Sequence, residues 1–77
     1  MVVGANVKAQ DLKVMPSPEA WELPTGIEVR SGVTALGPVV AFVNTETKRA
    51  TSTNAGAVNP SEPLPAWLTQ RINAITT

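Results

Sequence analysis

The chain has 77 residues, no cysteine and no histidine; six basic and six acidic side chains cancel to zero net charge, and only 16% of residues are charged. That length allows one small domain, near the size at which a core usually needs a disulfide, a metal or a partner to hold. The missing cysteine excludes disulfides and thiolate metal sites, and the missing histidine removes the commonest zinc ligand and general base, so neither a cofactor nor enzymatic activity is expected.

Residues 1–15 read as an N-terminal extended arm or strand. Val7, Ala9 and Asp11 alternate with Lys8, Gln10, Leu12 and Val14, which predicts a strand from about Asn6 to Val14. Met15-Pro16 ends it, since proline donates nothing to a ladder. Met1–Gly4 has no basic region and no long apolar run, so no signal peptide is expected and synthesis is cytoplasmic. No stretch approaches the ~18 apolar residues of a membrane span.

Residues 16–52 read as a small β core. Ser17–Glu22 has the marks of one helical turn: Ser17 suits the N-cap, Pro18 the first position and Glu19 the positive end of the dipole, with Pro24 stopping it. Trp21 sits at that corner. Ile27–Arg30 alternates as a strand, Ser31-Gly32 reads as a break, and Val33–Leu36 as a short strand before Gly37-Pro38. Val39–Val43 is continuously apolar, the pattern of a strand covered on both faces. Its cover is either the rest of an ordinary small barrel or a neighbouring subunit. Asn44–Thr47 resembles a four-residue hairpin loop, and polar Lys48–Ser52 pairs back as an edge strand whose two bases blunt it.

Residues 53–63 are small, polar and punctuated by proline, the composition of a linker or an arm laid across a neighbour. Residues 64–77 hold the C-terminal amphipathic helix, over about 64–75. Leu64, Leu68, Ile72 and Ile75 share one face, with Trp67, Arg71 and Ala74 beside it. That stripe docks either on its own sheet or on a partner. Pro18-Glu19-Ala20-Trp21 and Leu64-Pro65-Ala66-Trp67 each place a tryptophan just after a helix-starting proline.

The expected fold is therefore mainly β: a small antiparallel sheet or partial barrel with a core hairpin (about 27–52), extended arms and one short C-terminal helix.

Catalytic constellations are missing. Thr45 and Lys48 have the spacing of a hydroxyl–lysine dyad, but on an exposed turn the lysine keeps its charge and cannot act as a base. The acids Asp11, Glu19, Glu22, Glu28, Glu46 and Glu62 are scattered, so neither a carboxylate pair nor a calcium loop is expected. The glycines are dispersed as turn glycines, without a phosphate-binding spacing. The bases are spread along the chain and the aromatics are few, so nucleic acid is not an expected partner. Leu64–Ile72 is similar to the first helix of ribbon-helix-helix repressors, where a strand leads into Leu-Pro and an amphipathic helix. A polar, basic strand precedes the helix in that family and Glu62-Pro63 precedes it here, so the family's properties are not carried over.

Low charge and many apolar side chains on so short a chain predict a non-enzymatic structural or interaction protein, a small subunit covered by other protein subunits, either copies of itself or a larger scaffold. The abundance of Ala, Val, Thr, Asn, Gly and Pro resembles the composition of viral and phage cement, minor capsid or tail components, which would make the virion its destination. The expected interface residues are Trp21, Phe42, Leu64, Trp67, Leu68, Ile72 and Ile75, acting through strand addition, arm exchange and helix docking. The alternative is a small regulatory binding module, antitoxin-like or a DNA-binding adaptor, which strong salt dependence of binding would reveal.

Overall fold

The computed structural model describes residues 12–76. It is mainly β: four antiparallel strands in the order β1 (Lys13–Met15), β2 (Ile27–Thr34), β3 (Gly37–Asn44) and β4 (Ala50–Asn54), followed by one helix, α1 (Ala66–Thr76). β1 and β4 are the two edges and do not pair with each other, so the sheet is open rather than closed into a barrel. Of the strand expected over Asn6–Val14, the part up to Asp11 lies outside the described residues; the pairing that is described runs over Lys13–Met15.

The expected break at Ser31-Gly32 is not one. Both residues stay in the ladder, opposite Val40 and Val39, and β2 runs unbroken to Thr34. Glycine weakens a strand but keeps its N–H and C=O, so pairing continues through it. Val33 and Thr34 therefore finish β2 instead of starting a strand of their own, and the chain reverses at Ala35-Leu36. Gly37, at φ 111°, takes the left-handed position after that reversal, the arrangement of a type I turn closed by a glycine bulge.

The second hairpin lies one residue later than expected. Asn44 N–H donates to Arg49 O and Lys48 N–H to Asn44 O, both at 2.8 Å, which makes Thr45–Lys48 the four-residue loop. Because the loop consumes Lys48, β4 starts at Ala50 and extends to Asn54, opposite Val43 back to Val39.

Period-2 alternation sends Val29, Val40 and Phe42 to one face, together with Met15 and Ile27. The helix covers that face. Leu68, Ile72 and Ile75, three or four residues apart, are buried against it, so the stripe docks on its own sheet. Pro65 opens α1 by accepting from the N–H groups of Leu68 and Thr69, both at 3.0 Å. Trp21, in a single 3-10 turn over Glu19–Trp21, fills the rest of the face beside Phe42, with ring centroids 5.7 Å apart at 56°. The core is thus Trp21, Val29, Val40, Phe42, Leu68 and Ile72.

Two side chains fasten the chain's later segments to this core. The indole N–H of Trp21 donates to Asn59 O at 2.9 Å. The stretch expected as a linker is consequently held to its own domain: Thr53-Asn54 complete β4, Ala55–Ala57 form a 3-10 turn capped by the Asn54 side chain, and Ala55, Val58 and Leu64 pack on the core. Asn44 is buried at the far end of α1, where its amide donates to Ile75 O at 2.9 Å.

Candidate interaction surface

The fold leaves three features outward that a protein partner can use. The first is a finger. Among the described residues, β1 pairs with β2 only over Val29–Ser31, and β4 reaches β3 only from Val39 onward. Residues 32–38 therefore project past both described edge strands. The tip carries Val33 and Leu36, 81% and 83% exposed, and no residue from Ser31 to Thr45 is charged. Such a tip gains from leaving water, at about 25 cal/mol per Å² of apolar surface covered.

The second is the free edge of β4. Asn44 and Arg49 form a hydrogen-bonded pair, and ladder bonds alternate, so Thr51 and Thr53 bond inward to Phe42 and Val40. Ala50, Ser52 and Asn54 aim their backbone N–H and C=O away from the sheet, where no strand pairs with them among the described residues. The edge itself is uncharged. Exposed Lys48 and Arg49 stand before it, and an open groove of about 430 Å³, lined by residues including Gly56, Ala57, Asn59 and exposed Glu62, lies beyond its other end.

The third is a flank of α1. Helical spacing puts Thr69 and Asn73 on one side of the buried stripe, where they line a small cavity of about 80 Å³ with Trp21, Leu23, Pro24 and Leu64. Trp67, Arg71 and Ala74 fall on the opposite side. α1 lies over β3 and β4, so this flank turns toward the open β4 edge. Trp67 is 44% exposed, and the Arg71 guanidinium sits 5.3 Å from its ring centroid.

Of the residues expected at an interface, Trp21, Phe42, Leu68, Ile72 and Ile75 are buried by their own chain, Leu64 is half-buried against the same core, and Trp67 alone is exposed. The physical reason is that the domain uses its one amphipathic stripe to close its own sheet. Val33, Leu36 and the β4 edge escape a sequence reading that takes Gly32 for a break and Lys48 for a strand residue. The available signal was the uncharged run from Ser31 to Thr45.

Among the described residues one ion pair forms, Glu28 with Arg30 at 2.7 Å, on the sheet face opposite the helix. No cluster of three or more acidic side chains among them could hold a metal ion, and no helix among them is long and apolar enough to cross a membrane. No protein family, curated protein or solved structure matches this chain.

Proposed function

We propose that this chain is a non-enzymatic structural subunit that binds other protein subunits in a larger assembly, through strand addition at an open sheet edge and docking of exposed apolar side chains. The observation that carries the reading is the finger, an uncharged hairpin end with two large apolar side chains more than four-fifths exposed. Ordinary loop tips are polar and take Gly, Asn, Asp or Ser. Zero net charge also leaves little electrostatic repulsion to keep free copies apart. The composition fits a cement, decoration or minor capsid or tail protein of a viral or phage particle, where small low-charge subunits are covered on several sides.

The test is sedimentation velocity over a series from low to high micromolar, paired with hydrogen exchange on residues 32–38. The expected result is a species heavier than the 8.1 kDa chain, with exchange at the finger slowing as it forms. A monomer throughout, its finger exchanging at one rate across the series, would overturn the reading.

A further inference from the structure

We infer that the occupant of the β4 edge is a second copy of the same chain, in a two-fold dimer centred on Ser52. This deepens the assembly reading and rests on it.

Three features of the edge converge on that occupant. The first is chain direction. Two copies of β4 related by a two-fold axis meet antiparallel, and the axis must pass through a residue whose backbone groups face out. Ser52 is the middle one of three such residues. With Ser52 opposite Ser52 of the second copy, Ala50 faces Asn54 on either side, and every outward group of the edge meets a partner.

The second is charge. In that register the chain beyond each strand end also meets the other copy, with Lys48 opposite Gly56. Gly56 lines the groove that carries Glu62. Each end of the interface thus brings the Lys48-Arg49 pair of one copy to the Glu62 groove of the other. None of these three charged side chains is in an ion pair among the described residues. The five residues between them, Ala50–Asn54, carry no charge to oppose the approach.

The third is space. Both helices lie on the same face of the joined sheet. Each sits over β3 and β4, so their axes are about two strand spacings apart, roughly 9–10 Å. Packed helices lie about 8–10 Å apart, so the two meet in direct side-by-side contact. The flank each turns to the other is the one with Trp67 and Ala74, so the exposed indole loses water in the same event that pairs the edge.

The experiment is sedimentation equilibrium of the full chain and its variants, each first checked for the wild-type fold by circular dichroism. Ser52→Pro removes an N–H that faces outward and leaves the β3–β4 ladder its own bonds; the dimer should be lost. Lys48→Glu and Glu62→Lys should each weaken self-association about tenfold, since each puts like charges together at both ends. Mixed in equal amounts, these two variants make two attractive contacts again, so the mixture should dimerise about as tightly as wild type. That restoration does not depend on Ser52→Pro folding. Wild type that associates while none of these variants alters it would overturn the β4 dimer and leave the assembly reading in place. Wild type that never associates would overturn both.

Discussion

The side-chain amide of Asn44 donates to the carbonyl of Ile75 at 2.9 Å, joining the end of β3 to the last turn of the helix. The same side chain's oxygen accepts from the N–H groups of Glu46 and Thr47, at 2.9 and 3.1 Å, so one residue shapes the hairpin loop and satisfies a helix-end carbonyl. It is 3% exposed, which makes each of these bonds costly to lose. Asn44→Ala should therefore destabilise the domain by about 2–3 kcal/mol, read from urea unfolding. Hydrogen exchange should speed up at the 45–48 loop and the end of α1 together. A loss confined to the loop would mean that the helix end is held by other contacts. Thr47→Ala should cost less, about 0.5–1 kcal/mol, because Asn44 still bonds the carbonyl that the Thr47 hydroxyl shares at 3.3 Å.

Trp21 links two parts of the chain that sequence separates by 38 positions. Its ring is core, and its N–H holds Asn59, whose carbonyl also accepts from Glu62 at 3.1 Å. Trp21→Phe keeps an aromatic ring against Phe42 and removes the donor. The expected cost is about 1–2 kcal/mol, and limited proteolysis should begin to cut within 57–63. Unchanged protease resistance there would show that packing of Val58 and Leu64 suffices to hold the segment.

How much of this was readable beforehand differs from element to element. The stripe Leu68, Ile72 and Ile75 was legible because helical spacing is local, and so was the Phe42 strand, whose apolar run needs cover on both sides. What covers them was not legible: a stripe is equally suited to its own sheet or to another's, and only three-dimensional closure decides. Asn44 looked like an ordinary turn residue because its partner lies 31 positions away. Trp21 and Trp67 follow near-identical Pro-x-x-Trp or Pro-x-Trp steps, yet one is core and the other is surface. The difference lies in the register of each turn against the sheet, which composition does not encode.

Trp67 and Leu68 are adjacent in sequence and about 100° apart around the helix, which separates their roles. Leu68 is fully buried, whereas Trp67 is nearly half exposed on the side of the β4 edge. Leu68→Ala should cost about 2–5 kcal/mol, a large share of a total stability of order 5–10 kcal/mol. Trp67→Ala should change the melt by less than about 1 kcal/mol and weaken self-association at least tenfold. Thermal unfolding and sedimentation on the same samples check both. Equal damage to melt and association by Trp67→Ala would make the indole a core residue and remove it from the interface.

Lys48 occupies the left-handed position of the second hairpin loop, at φ 66°. A residue with a Cβ is strained there by about 1–2 kcal/mol, whereas glycine is not. Glycine also loses more freedom on folding, which cancels part of that gain. Lys48→Gly should thus leave the fold as stable or firmer, by up to about 1 kcal/mol, while taking a positive charge from the end of β4. If that charge serves only solubility, association of the variant should match wild type at every salt concentration. If it meets Glu62 of a second copy, the variant should associate more weakly at low salt, and the two should converge as salt screens the pair. Opposite movement of melting temperature and dimer affinity in one substitution is the expected result, because the strain relieved is internal to the hairpin and the charge removed acts between molecules.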